Sequence, residues 1–444
     1  MGHTSAARFE QKEFEHHLKN RLIPFWSAMR DQENGGFYGY MGHDLALEKE
    51  ADKGCILMSR ITWFFSNAFM LLGDRELLDH ARHGYEFLSE HCFDPEYGGI
   101  YWSVSSDGHP ADTVKHTYNQ AFAIYALSSY YDASGDTGAL QKALILFHLI
   151  EANMKDDLGY LEAFDRAFRP VSNEKLSENG VEAVRTMNTH LHVMEAYTEL
   201  LRVLEKRDSA EEKAGAKKQV TAEEEAGAEA DVRAEEEICA EAELRAVWKA
   251  LDGICRIFAD RMWNPREERA DVFFDRDWNF LIDLWSSGHD IESSWLAERA
   301  AEILVKTAQS PEDQREAEET AEKILAITDA MARHVYEKAF VRDSIVSEFE
   351  EGRPAPGRVW WVQAEGVVGF LNAYGRHPEN TAYLRAAEDV WNFVKQYFLD
   401  PREGSEWFWD VTEAFLPTDK PIVEPWKCPY HNGRMCFEVM KRIG

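Results

Sequence analysis

Apolar residues recur at three- and four-residue spacing over twelve stretches. They predict helices over residues 9–30, 56–72, 75–92, 115–133, 137–153, 186–205, 241–262, 289–308, 312–335, 360–375, 380–398 and 430–443. Alternate stretches differ in character. Those typified by "NQAFAIYALSSYY" and "QAEGVVGFLNAYG" are rich in small and apolar residues, as suits inner helices touched on several sides, whereas their neighbours are more amphipathic. Two pairs of stretches are joined by Gly73-Asp74 and Gly135-Asp136. Glycine there can take the left-handed conformation that ends a helix, and the aspartate can cap the next one. Twelve helices of alternating type read as six hairpins. Six hairpins closing on themselves make an all-α fold, an (α/α)6 toroid with connecting turns at both poles and one concave mouth.

The turns carry a repeat that supports the same count. "DQENGGFYGY" (31–40), "DPEYGGIYWS" (94–103), "KDDLGYLEAF" (155–164), "NPREERADVFFD" (264–275) and "DPREGSEWFWD" (400–410) each join a polar turn to a short aromatic, strand-like run. "RDSIVSEFEEG" (342–352) is a weaker sixth copy. The first three copies are spaced by about 60 residues. One segment breaks the pattern: residues 206–240 contain no aromatic residue and are dominated by Ala, Glu and Lys. Such a segment adds nothing to a core, and its place between the sixth and seventh helices predicts an extended, solvated hairpin tip. The chain therefore reads as one barrel domain over residues 1–444 with an insertion at about 206–240.

Composition narrows the functions. Of the 444 residues, 45% are hydrophobic and 14 are Trp, which is material for a large core and excludes disorder. The formal net charge of −31 repels phosphate backbones and anionic lipid, so neither nucleic acid nor a membrane surface is expected as a partner. A small neutral ligand fits better. No uninterrupted apolar stretch has spanning length, and the first twenty residues are too charged for a signal peptide, so a cytoplasmic location is expected. The six cysteines are scattered without a CxxC pair, which predicts reduced thiols.

The chemistry collects at the starts of the small-residue helices. In order these carry Arg60; His116 and Tyr118; Asn188, His190 and His192; His289 and Glu292; Trp361, Gln363 and Glu365; and His431 and Arg434. In a toroid the inner helices run parallel, so these first turns converge at one pole. Their positive dipole ends there favour electron-rich groups such as sugar oxygens. A single histidine at a helix start is more often a cap or a satisfied core group than a catalyst, but recurrence at one phase of successive repeats is not explained that way. His289 and Glu292 stand three residues apart on one helix face, where the carboxylate could orient the imidazole. His190 and His192, two apart, point in different directions, so at most one of them faces the pocket. No HExxH motif is present, and no metal site is expected, although three converging histidines could make one. Trp361, Trp407, Trp409 and Trp426 offer flat faces for stacking on a pyranose; Trp361 and Trp426 are favoured because they neighbour the polar helix starts.

With these features in place, the chain resembles the N-acylglucosamine 2-epimerase superfamily, and within it the epimerases of cellobiose. The strings "ENGGFYGY", "ADKG", "KHTYN", "AFAIYALSSYY", "EAFDR", "LSENG", "GHDIE", "RVWWVQAE" and "WKCPYHNGRMC" carry the resemblance from about residue 23 to the end, broken only by the Ala/Glu insertion. It implies reversible inversion at C2 of the reducing-end glucose of β-1,4 disaccharides such as cellobiose and lactose, with no cofactor. It also implies that His289 and His431 are the two acid/base groups and that His192 assists near the C1 and C2 oxygens. Arg60, Tyr118, Asn188, Glu292, Trp295, Trp361, Glu365 and Trp426 match positions lining the family's sugar pocket. The rival readings are a monosaccharide epimerase or aldose–ketose isomerase with the same histidines, a glycoside hydrolase using a carboxylate pair from Asp165, Glu292 and Glu348, and a sugar or partner binder without chemistry. Oligomeric state is left open.

Overall fold

The computed structural model describes residues 10–173, 180–219 and 228–443, with side chains left out over 210–239. Twelve helices appear among the described residues. Helix α1 runs over Gln11–His17, passes through a π turn at Leu18–Leu22 and resumes as Ile23–Ala28. The others are α2 (Cys55–Leu72), α3 (Arg75–Phe87), α4 (Thr117–Ser134), α5 (Thr137–Asn153), α6 (Met187–Gln219), α7 (Ala228–Ile257), α8 (Ser287–Lys306), α9 (Pro311–His334), α10 (Trp360–Arg376), α11 (Thr381–Tyr397) and α12 (Tyr430–Ile443).

The even-numbered helices form the inner ring. Each packs on the next, α2 on α4, α4 on α6, α6 on α8, α8 on α10 and α10 on α12, and α12 closes the circle against α2. Each odd-numbered helix lies outside its partner, and α1 pairs with α12, so the two chain ends share the last hairpin. The small residues make this closeness possible. At Gly433 on α12, an added Cβ would stand 2.5 Å from the Phe64 ring on α2. Helix α2 is long and apolar enough to cross a membrane, yet 72% of it is buried, because an inner helix meets protein on all sides.

The hairpin corners match the sequence signals. Gly73 and Gly135 end α2 and α4 with φ of 73° and 76°, each donating its N–H to the residue four earlier. Asp74 and Asp136 then accept from the N–H groups of Glu76 and Gly138 to start α3 and α5. All six turn copies form tight antiparallel turns, including the weak one, where Phe340–Val341 pairs with Ser344–Ile345.

Two features depart from the expected pattern. Four outer helices contain or end in a five-residue π turn, at Leu18–Leu22, Leu88–Cys92, Phe258–Met262 and Val335–Ala339, where the apolar spacing predicted uninterrupted helix. In α1, Pro24 follows the π turn and has no N–H to continue the ladder. The Ala/Glu insertion lengthens α6 and α7 into the two arms of one hairpin. Residues 220–227, between the arms, and residues 176–179 of the "LSENG" string lie outside the described residues.

A third repeat emerges only in three dimensions. Just before four inner helices stands a buried cation that reaches back to a turn carboxylate. Lys53 meets Asp31 at 2.7 Å, Lys115 meets Asp94 at 3.0 Å, Arg185 meets Asp156 at 2.6 Å and Lys427 meets Glu406 at 2.5 Å. The same aspartates accept backbone N–H groups of their own turns, as Asp31 does from Glu33 and Asn34. Each pair thus ties a turn to the first residues of an inner helix. Removing one partner of such a buried pair typically costs about 3–5 kcal/mol, because the other charge is left without compensation.

Candidate active site

The tied helix starts surround one cavity of about 330 Å³. Eleven of the residues singled out in the sequence line it: Arg60, Tyr118, Asn188, His192, His289, Glu292, Glu348, Trp361, Trp409, Trp426 and His431. The structure adds Ser286, Trp360 and Lys420 to the wall. Two expected sugar-binding residues stand elsewhere. Glu365 and Trp295 are buried behind His431: the Glu365 carboxylate accepts from His431 Nδ1 at 2.8 Å and from Trp295 Nε1 at 3.1 Å. They hold the histidine and do not line the cavity.

Other helix-start residues prove to be scaffold. His190 bonds through Nδ1 to the Thr186 carbonyl and through Nε2 to the Tyr160 N–H, so its ring is spent on the fold. His192, two residues on, is the one that reaches the cavity. Gln363 clamps both backbone groups of Ile345. His116 packs its ring on Trp102, and Trp407 donates to His17 in the core. Asp165 accepts from Arg169 on a turn away from the cavity.

The floor is an ion cluster centred on Arg434. Its guanidinium donates to Glu195 Oε1 at 2.6 Å and to Glu365 Oε1 at 2.7 Å, and closely to Glu292 Oε1. Glu195 in turn accepts from His192 Nδ1 at 2.9 Å and from the Tyr430 hydroxyl. Sequence spacing paired Glu292 with His289; in the structure Glu292 turns to Arg434, and the Nδ1 of His289 meets the Ser286 hydroxyl at 2.6 Å. The reason is charge. A hydrogen bond donated by a buried guanidinium is stronger than one from a neutral ring three residues back along the helix. Glu195, Ser286 and Tyr430 were not legible as site residues, since each acts through a neighbour on a helix face fixed only by packing.

Electrostatics follow from one cation among three carboxylates. Burial, with Glu365 adding repulsion, pushes the Glu292 carboxyl up to about 8, against the pull of Arg434. Its Oε2 has no hydrogen-bond partner. Glu195 goes the other way: burial opposes its ionisation, but Arg434, His192 and Tyr430 outweigh it and hold the carboxyl down at about 2. Burial lowers all three imidazoles, to about 3 for His289 and about 4 for His192, and well below 6.5 for His431, where Arg434 adds to the effect. The cavity therefore presents neutral rings able to accept a proton, beside a carboxylic acid able to donate one.

Aromatic faces complete the walls. Trp361 lies between the two catalytic candidates, 4.8 Å from the His289 ring and 5.3 Å from the His431 ring. Arg60 donates to the Tyr118 hydroxyl at 2.7 Å and stacks over Phe122. The Asn188 Oδ1 is buried without a partner at the cavity edge, a position suited to a ligand hydroxyl. Ligand atoms of Glu292, Glu365 and His431 lie within 4.8 Å of one another and could hold a cation, which would compete with Arg434 for the same oxygens.

Comparison with known proteins places this arrangement. The sequence profile of the N-acylglucosamine 2-epimerase (GlcNAc 2-epimerase) family matches residues 35–198 and 183–432. The chain belongs to this family. It is 48% identical over 424 residues to the cellobiose 2-epimerase of Eubacterium cellulosolvens, covering 96% of each chain, and 45% identical to that of Ruminococcus albus, covering 97% and 98%. Among solved structures, it matches the cellobiose 2-epimerase of Bacillus thermoamylovorans with TM-score 0.83 and 37% identity, covering 97% and 99%. A D-mannose isomerase shares the fold at 18% identity, with TM-score 0.72. As in these relatives, the ring is an (α/α)6 toroid, and family membership makes the protein a carbohydrate epimerase, an isomerase.

Proposed function

We propose that the protein interconverts the reducing-end glucose and mannose of β-1,4-linked disaccharides, cellobiose among them, by proton transfer at C2. The observation that carries this reading is the pair His289 and His431, two rings from different inner helices facing one cavity against the same tryptophan. The names of the relatives supply the substrate class.

A C2 hydrogen is acidic only when C1 is a carbonyl, so the pyranose opens first. Opening needs a donor to the ring oxygen and an acceptor at O1. Histidine serves either part, and the protonated Glu292 stands beside them as a further donor. One imidazole then takes the C2 proton, leaving a cis-enediolate whose charge faces Arg60, Tyr118 and His192. Returning a proton to the opposite face of C2 inverts the centre. Each such transfer contributes about 10²- to 10⁴-fold in rate. A hydrolase would instead need two carboxylates astride a glycosidic bond; here Asp165 lies away from the cavity, and of Glu292 and Glu348, which both line it, Glu292 is tied to Arg434.

The test is proton NMR of cellobiose incubated with metal-stripped protein in heavy water. The 4-linked mannose epimer carrying deuterium at C2 is the expected product. Free glucose would establish a hydrolase in its place, a ketose would establish the isomerase, and turnover of monosaccharides alone would redirect the substrate class.

A further inference from the structure

We propose that Ser286 is a positioning residue for the reaction, fixing the ring of His289 and choosing which of its nitrogens faces the substrate; this deepens the epimerase reading and rests on it. Ser286 sits at the residue before α8, where serine ordinarily caps the helix by accepting a backbone N–H through its side chain. It makes no such cap. Its hydroxyl is spent on His289 Nδ1, 2.6 Å away, and both residues line the cavity.

The segment around Ser286 is held from several sides. The Ser286 carbonyl accepts from the Asp290 N–H, the Ser287 hydroxyl donates to the Val346 carbonyl, and the Gly288 N–H donates to the Ser347 carbonyl. Helix α10 presses so near that a Cβ at Gly288 would stand 2.7 Å from the Trp361 ring. The His289 ring is thus set between a fixed hydroxyl and a fixed indole. With Nδ1 engaged, Nε2 is the nitrogen left for the ligand.

The contrast with the other two cavity histidines gives Ser286 its meaning. His192 and His431 each direct Nδ1 to a carboxylate, Glu195 and Glu365, which favours the charged ring. His289 directs Nδ1 to a neutral hydroxyl, which orients the ring with far less pull on its proton. The groups that face His289 around the cavity are His192 from α6, Glu292 from its own helix, His431 from α12, and Arg60, Glu348 and Lys420 at the wall. In the transfer, the C2–H bond breaks and its proton bonds to Nε2 of neutral His289. The electron pair moves into the enediolate, and Nδ1–H donates to Ser286 Oγ throughout. Inversion is completed when His431, protonated for this step, delivers its proton to C2 from the opposite face and the enediolate pair forms the new C2–H bond; the reverse reaction exchanges the two roles.

The experiment compares Ser286→Ala, Ser286→Thr and Ser286→Asp with the intact chain on cellobiose, together with side-chain ¹⁵N NMR of histidine, the His289 signals being assigned by their loss in His289→Ala. We expect Ser286→Ala to lower kcat on the order of 10²-fold through loss of ring orientation, with KM little changed. Ser286→Thr, which keeps the hydroxyl, should recover most of that loss. Ser286→Asp should move the acidic limb of the kcat/KM profile to higher pH by about one unit or more. The His289 ¹⁵N shifts should change in Ser286→Ala. Wild-type kcat in Ser286→Ala, or unchanged His289 shifts, would overturn the proposal. Should Ser286→Asp fail to fold, the Ala and Thr variants still decide it. Failure of the unaltered chain to convert cellobiose would instead overturn the substrate reading, and the ¹⁵N shifts would still judge Ser286.

Discussion

Two sets of buried ions do opposite work in this ring. In the turns, Lys53 and Lys427 each meet a carboxylate of their own and the charges cancel, while Asp94 is shared between Lys115 and Arg166. On the cavity floor a single Arg434 faces Glu195, Glu292 and Glu365, and they do not. Both sets are wholly enclosed, so burial alone does not mark the site. The imbalance does: surplus buried carboxylate favours the protonated form of Glu292, whose Oε1 lies 3.8 Å from His431 Nδ1. Balanced pairs fasten the helix starts, and the unbalanced cluster holds the chemistry.

The largest expected effect falls on the rings above that cluster. His289→Ala and His431→Ala should each remove turnover by at least ~10²- to 10⁴-fold while leaving the circular dichroism spectrum unchanged. Substantial residual epimerisation in either variant would break the two-histidine assignment.

Next come the cations. Lys53→Met and Arg434→Met should each cost about 3–5 kcal/mol in urea unfolding, since each takes the cation from buried carboxylate. The comparison predicts that they separate in kcat, measured where both are folded: Lys53→Met near the unaltered rate, Arg434→Met far below it. Equal losses of kcat would erase the distinction between fastening and chemistry.

The smallest effect is the most diagnostic. Asp31 and Asp94 are held below the usual 3.8 when folded, burial being outweighed by bonds from Lys53 and from Arg166 and Lys115 respectively. Their contribution is complete at neutral pH and is lost as pH falls through that range. Glu292 has the reverse sign. Between its ordinary 4.5 and about 8 the unfolded chain has released a proton that the folded chain still holds, so stability falls as pH rises across this window. The slope from this one group is at most about 1.4 kcal/mol per pH unit. Glu292→Gln resembles the protonated side chain, so its stability relative to the unaltered chain should rise from pH 5 to pH 8. A difference that stays constant would mean that Glu292 is ionised throughout.

Much of this architecture was legible in the chain because local physics repeats. Gly73-Asp74 and Gly135-Asp136 stop and start helices wherever they occur, and "DPEYGG" makes a turn in any context. The family strings also pointed to most of the cavity wall. What misled was reading partners from spacing along one helix. Glu292 lies three residues from His289, yet its partner is Arg434, 142 residues away; Glu365 seemed a sugar contact and proved to be the support of His431. Ser286 had the appearance of an ordinary cap.

The sequence by itself determined the number of helices, their alternation between inner and outer, and the gathering of polar first turns at one pole. These follow from period, glycine stereochemistry and side-chain size, which act within a few residues. Only the tertiary structure decided which histidine receives a carboxylate and which a hydroxyl, and which carboxyl keeps its proton. Those outcomes depend on distances between helices far apart in the chain and on the exclusion of water, where one unshared charge shifts the ionisation of every group around it.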